Sequence, residues 1–217
     1  MSRRGLALRE HILYAAKNVF LQVGFERASM DVIAETAQTS KRTLYAHFES
    51  KEKLYLAIID LVRGVYLSKL KAPDNYSQDP NEAVVMFCGR FLEGMLFTWT
   101  IRMCRMTASE AERFPEASAR YFDVLFTATH ERLSNYLSEK LELNQTESSK
   151  AAHEILSSVI YPRFLRTLFG IDPAIQQLDD DHLAPDFDLK PIQQAVHQVL
   201  GKLLQSSAQA GTSPRTG

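Results

Sequence analysis

Between Ser29 and Phe48 the chain reads SMDVIAETAQTSKRTLYAHF, and Lys41, Arg42, Thr43, Tyr45 and His47 crowd its second half with no acidic residue among them. Ammonium, guanidinium, hydroxyl, phenol and imidazole groups share one competence, donation to oxygen anions; a guanidinium also fits the acceptor edge of guanine. Leu44 and Phe48 stand one helical turn apart, so on a helix they face a core and leave those donors outside. Lys51 and Lys53 follow at the start of the next helix. Ser29 and Ser40 sit where two helices need N-caps, and a capped N-terminus aims backbone N–H groups at an anion. A short helix, a turn of three or four residues and a second short helix have the spacing of a helix-turn-helix, whose second helix enters the DNA major groove. The competing reading of the same residues is a solvated face with two helix caps.

Other chemistries fit less well. His130-Glu131 and His153-Glu154 begin like a zinc-protease helix, but Ser134 and Ser157 stand where the second His belongs. Asp179-Asp180-Asp181-His182 lacks the ligand order of a calcium loop and reads as a solvated acidic loop. Cys88 and Cys104 are the only cysteines, too few for a disulfide framework or a four-ligand metal site, and they suit a reducing cytoplasm. No Gly-rich phosphate loop is present. These observations predict neither an enzyme, nor a metal site, nor a cofactor.

The elements that position the donor run are helical. Ile12, Ala16, Val19, Phe20 and Val23 recur at three- and four-residue steps, and Gly24 is placed to close that helix. Ile33, Ala34 and Ala37 form the inner face of a second helix, with Asp31 in its first turn. Ser50 caps a fourth, whose inner face is Leu54, Ile58, Leu61, Val62 and Val65. The polar stretch from Lys71 to Pro80 marks a boundary, so the chain divides into a three-helix head with its connecting helix, 1–72, and a body, 73–217. Further helices are expected near 81–98, 101–113, 115–142, 146–169 and 189–207, with Gly170 as a stop and Pro162 as a kink. No hairpin signal interrupts them, and the fold class is all-α.

Charge separates the same two parts. Residues 1–72 carry 12 Lys and Arg against 7 Asp and Glu, whereas residues 73–217 carry 13 against 19. A basic head on an acidic body fits a polyanion met by the head alone. Arg3, Arg4 and Arg9 offer an arm along a phosphate backbone, or else a frayed terminus. The first residues reach Arg9 and Glu10 before any apolar stretch forms, unlike a signal peptide, and no apolar run is long enough to span a membrane.

At these residues the chain resembles the TetR family of bacterial transcriptional regulators. The resemblance rests on Gly24-Phe25, Ile33-Ala34 and SKRTLYAHFESKEKLYLAII from Ser40 to Ile59, and it covers about residues 8–60. It departs at Gln38, where the family often has Gly; a left-handed Gln38 costs about 1 kcal/mol. The resemblance implies a cytoplasmic bacterial regulator, nucleoid-associated when bound, whose DNA-facing residues are Ser29, Ser40, Lys41, Arg42, Thr43, Tyr45, His47 and Lys51. Tyr45, His47 and Lys51 would hold phosphates, Arg42 and Thr43 would read bases, and Lys41 suits either task. The segment Glu110-Ala111-Glu112-Arg113-Phe114-Pro115-Glu116 is similar to one in AefR-like and AcrR-like members.

For the body, the resemblance implies ligand binding and dimerisation. The Met- and aromatic-rich stretch 86–106 and the aromatics after Phe114 suit either an apolar cavity or a packed core. Phe91, Met95, Trp99, Phe122 and Phe126 are the candidate lining for a small apolar or amphipathic ligand. Arg102 and Arg105 suit a ligand carboxylate, or surface pairing with Glu110 and Glu112. Two apolar stripes, Ile155 to Leu168 and Ile192 to Leu204, are expected to form a two-fold, four-helix homodimer interface. Two heads roughly 34–36 Å apart then match a palindromic double-stranded operator, with repression as the family's commoner mode. The alternative is a helical protein-interaction module that keeps the head without binding an operator.

Overall fold

The buried residues of the first 60 positions follow the helical spacing closely. In the computed structural model, which describes residues 3–161, 163–179 and 181–210, α1 (Arg3–Arg27) turns Ile12, Ala16, Val19 and Phe20 inward. Gly24, at φ 80° and ψ 168°, breaks that helix before its last turn, in a region of backbone space that is almost exclusive to glycine. Next come α2 (Met30–Thr36), α3 (Lys41–His47) and α4 (Lys51–Lys69). Ile33, Ala34, Leu44, Phe48, Leu54 and Ile58 are all buried. The side chains of Arg3, Arg4, Val65 and Leu204, and the expected kink at Pro162, lie outside the described residues.

After a 3₁₀ turn at Pro73–Asn75 the body contains α5 (Pro80–Leu96), α6 (Thr98–Ser109), α7 (Pro115–Phe122), a π-helical turn at Asp123–Thr127, α8 (Ala128–Lys140), α9 (Gln145–Ile160), α10 (Arg163–Leu168) and α11 (Lys190–Ala210). Local chemistry sets the boundaries. The Asp79 side chain accepts the Glu82 N–H at the start of α5, and Asn144 with Glu147 makes a reciprocal capping box for α9. Gly170, at φ 76°, ends α10 as expected, with Ile171 N–H donating to the Arg166 carbonyl. The single helices expected over 115–142 and 146–169 are each divided. Among the described residues there is no β-strand, only an isolated backbone pairing of Phe97 with Ile175. None of their helices is long and apolar enough to cross a membrane.

Packing divides the chain into two units, Met1–Ser68 with Arg102–Leu125, and Lys69–Ile101 with Phe126–Gly217. The segment 102–125, expected to belong with the body, instead packs with the head, where Phe114 packs against both Phe25 and Tyr55 (ring centroids 5.0 and 5.3 Å), themselves in contact. In the second unit α5 is the core helix: Phe87, Cys88, Phe91 and Met95 are buried together with residues of α8, α9 and α11. The stripes expected at a dimer interface are largely consumed here. Ile155, Leu156, Val159, Phe164, Ile192, Val196, Val199 and Leu200 are buried within the chain's own fold. Burial pushes both thiols up, Cys104 to about 11, so neither is a ready nucleophile.

One buried ion pair fastens the loop before α11. Arg90 donates to Glu93 Oε2 (2.8 Å) and to the carbonyls of Asp179 (2.9 Å) and His182, while Glu93 Oε1 accepts the Ala184 N–H (2.9 Å). Glu93 is buried, and these partners satisfy its charge. Asp179 and Asp181 are likewise committed: Asp179 Oδ1 accepts the N–H groups of Asp181 and His182, and Asp181 pairs with Lys71 at 2.9 Å. Hydrogen bonds lower the Asp179 carboxyl's affinity for a proton, and Lys71 does the same for Asp181.

Two glycine substitutions separate backbone strain from crowding. An added Cβ meets nothing within 4 Å at either Gly24 or Gly64. Gly24→Ala should nevertheless cost about 1–3 kcal/mol of unfolding free energy, because its φ/ψ region excludes side chains. Gly64→Ala, inside α4, should gain about 0.5–1 kcal/mol. Urea denaturation of the two variants beside the parent checks both signs.

Candidate nucleic-acid interface

The two short helices of the head are held by caps at one end and a left-handed turn between them. Ser29 and Ser40 both take extended backbone, and their Oγ atoms accept the N–H groups of Val32 (3.2 Å) and Thr43 (3.0 Å). Ser40 Oγ also shares a 2.8 Å hydrogen bond with Thr43 Oγ1. Gln38 adopts φ 49°, the strained conformation expected where glycine is missing. The Thr39 N–H donates to Ala34 O and the Gln38 N–H to Glu35 O, both at 2.9 Å, which closes α2 as a Schellman turn.

Helix α3 presents its faces as the spacing predicts. Leu44 is fully buried and Phe48 nearly so, Lys41, Arg42 and Tyr45 are exposed, and Thr43 and His47 are half-buried. His47 Nδ1 is buried without a partner. Lys41 differs from a free cation, because its ammonium pairs with Asp31 of α2 at 2.7 Å. The hydrogen bond and charge of Asp31 raise the Lys41 pKa, and both groups remain solvated. Asp31 was legible only as a first-turn acid of α2; its cross-helix partner depends on the angle between α2 and α3.

Lys51 is the largest departure. Its ammonium donates to the carbonyls of Phe25 (3.0 Å), Glu26 (3.2 Å) and Ala28 (3.1 Å), which matches its three protons one for one. It also lies 4.4 Å from the centre of the Phe25 ring. The residue therefore caps the end of α1 from the first turn of α4. Arg9, expected as part of an arm, stacks its guanidinium over the Phe48 ring at 4.8 Å from within α1. Arg113 was not singled out for chemistry by sequence, yet it pairs with Glu26 and Glu52. Glu52 is held below its ordinary pKa first by its own backbone N–H and the Ser50 hydroxyl, then by Arg113 and Lys51.

The candidate ligand residues do not share one environment. Phe91 and Met95 lie one turn apart on the buried face of α5. Trp99 is exposed and stacks in parallel with Phe97 (6.3 Å, 8°). Phe126 is half-buried and meets Phe164 edge-on at 6.4 Å. Phe122 is 57% exposed and falls in the packing unit of the head. Arg102 and Arg105 are exposed. Among the described residues no three His, Cys, Asp or Glu side chains are grouped to hold a metal ion.

Comparison with known proteins matches both parts of the chain. The pattern of bacterial regulatory proteins of the tetR family matches residues 12–58, and that of the AefR-like transcriptional repressor C-terminal domain matches residues 82–186. The HTH-type transcriptional activator FasR of Mycolicibacterium smegmatis is 42% identical over 84 residues, 34% of this chain and 38% of that protein. The HTH-type transcriptional regulator RutR of Escherichia coli K12 is 41% identical over 71 residues, 33% of this chain and 34% of that one. The matches thus span little more than a third of those relatives' lengths. Among solved structures, the flavonoid-responsive regulator FrrA is 26% identical with a TM-score of 0.68, covering 92% of this chain and 96% of that one.

The buried-facing role of Lys51 and the outward position of Tyr45 lead to different expectations for stability. Lys51→Ala should lower the unfolding free energy by about 2 kcal/mol, since charged hydrogen bonds to three carbonyls are lost. Tyr45→Ala, on the exposed face, should stay within about 0.5 kcal/mol of the parent. Thermal and urea unfolding followed by helical circular dichroism check both.

Proposed function

The chain belongs to the TetR family of bacterial transcriptional regulators, and we propose that it is a ligand-responsive repressor that binds a palindromic double-stranded operator as a homodimer. The observation that carries this reading is the outward face of α3, where Arg42 and Tyr45 are exposed and no acidic side chain intervenes between Ser40 and Phe48. Tyr45 and His47 hold phosphates. Arg42 and Thr43 read base edges, and Lys41 joins them by leaving Asp31 for the DNA. Ser29 and Ser40 act chiefly as caps that aim the helix N-termini at the backbone. Lys51 contributes by holding α4 to the end of α1, its protons being already matched. The protein works in the bacterial cytoplasm, at the nucleoid when bound to DNA.

For the dimer, the apolar surface left over by the fold points to the region of α10. Tyr161, Phe169 and Ile171 are 67%, 78% and 62% exposed, and Leu165 is exposed beside them. Exposed apolar side chains of this kind, on the segment that follows α9, support a two-fold contact there. A small apolar or amphipathic ligand, held in the body, lowers operator affinity by its preference for a conformation whose heads miss the half-site spacing, and by no more than that.

Three measurements test the reading. Genomic fragments captured by the purified protein at moderate salt, with competitor DNA present, should be enriched in one palindrome. On that palindrome Arg42→Ala should cost about 1–3 kcal/mol and relax selection at one base pair, whereas Tyr45→Ala should weaken binding uniformly across sequences. Failure of the folded protein to select any sequence would favour the interaction-module alternative. Phe169→Asp with Ile171→Asp should yield a monomer with full helical signal by light scattering and circular dichroism; a dimer unchanged by both would refute the proposed contact.

A further inference from the structure

The helix-turn-helix is an insertion between two stems, the end of α1 and the start of α4. Any group that bonds to both stems fixes the pose of α2 and α3. Lys51 does so from within the insertion's own boundary, reaching from α4 back to the carbonyls of Phe25, Glu26 and Ala28. Arg113 does so from far along the chain, in the turn between α6 and α7. One guanidinium nitrogen pairs with Glu26 at the end of α1, and the other lies 3.5 Å from Glu52 in the first turn of α4. Its guanidinium carbon also lies 4.9 Å from the centre of the Phe25 ring and 5.2 Å from that of Phe114. A planar guanidinium fork holds two carboxylates in a fixed geometry, whereas an ammonium on a flexible stem is less directional.

We propose that Arg113 is a positioning residue for the recognition helix: its fork ties Glu26 to Glu52 and so sets the spacing of the stems that carry α2 and α3. The inference rests on the operator-binding reading, but part of it is testable without DNA. With both ends of its guanidinium engaged by carboxylates, Arg113 acts through the stems and leaves the phosphates to α3. An exposed ion pair is worth little by itself. The effect here comes from bridging two elements whose separation decides whether α3 fits the groove.

The experiment compares the full-length parent with Arg113→Ala and Arg113→Lys. In the free protein, amide hydrogen exchange in Lys41–His47 should quicken in Arg113→Ala and recover in part in Arg113→Lys, while exchange in α9 stays unchanged. On the captured palindrome, Arg113→Ala should raise Kd by about tenfold for the active fraction found by stoichiometric titration. The slope of log Kd against log salt should stay at the parent's value. Unchanged exchange in α3, or an unchanged Kd, overturns the proposal. So does a salt slope reduced by about one, which would make Arg113 a direct phosphate contact. A loss confined to the active fraction, with Kd intact, overturns it too, as the mark of a merely stabilising residue. If the parent selects no DNA, the regulator reading falls and the exchange arm still decides for or against the bridge. Should Arg113→Ala fail to fold, Glu26→Gln with Glu52→Gln applies the same test from the carboxylate side.

Discussion

A helix that stops leaves its last carbonyls without donors, and the ending of α1 is the constraint on which the head depends. Gly24 breaks the helix with a backbone conformation that side chains avoid, and the chain makes one more turn before α2 begins. The carbonyls of Phe25, Glu26 and Ala28 then converge on a single ammonium, that of Lys51. This one group joins the end of α1 to the start of α4, and it does so against the ring of Phe25. Phe25 itself packs with Phe20, Tyr55 and Phe114 at centroid distances of 5.0–5.6 Å. Remove the cation, and three carbonyl acceptors, two of them part-buried, and an aromatic cluster lose a shared partner.

Everything that faces outward on α3 inherits its position from this arrangement. Leu44 and Phe48 fix the rotation of the helix by burial, Ser40 fixes its start, and the Gln38 turn fixes its angle to α2. The Gln38 conformation is tolerated because two backbone hydrogen bonds close the turn around it. The donors of α3 are therefore carried on a helix whose start, rotation and angle to α2 are each set by named contacts, which is what the proposed meeting with a DNA groove would require.

In the second unit a different device does comparable work. Burying Glu93 is unfavourable unless its oxygens are met, and Arg90 with the Ala184 N–H meets them. The same guanidinium reaches two carbonyls of the acidic loop, so the loop's place over α5 follows from the needs of one buried carboxylate. Gly89 permits the approach: a Cβ there would stand 2.6 Å from a methyl of Leu189. Charge satisfaction and close packing thus coincide on one turn of α5.

Local chemistry made much of this molecule readable from the amino-acid order alone. Helical periodicity placed the apolar faces of α1 to α4, serines marked the starts of α2, α3 and α4, Gly24 marked the break near the end of α1 and Gly170 the end of α10, and the donor run of α3 stood out because its apolar neighbours had to turn inward. Each depends on residues within about four positions of one another, where the geometry of one helix suffices. Partners far apart in sequence were not readable. That Lys51 serves carbonyls of α1, that Arg113 bridges Glu26 and Glu52, that Asp31 holds Lys41, and that the stripes of α9 and α11 meet inside the chain were decided by tertiary packing. A cation's type announces that it will find oxygen; which oxygen is set by the angles at which whole helices cross, and those follow from the summed burial of many side chains.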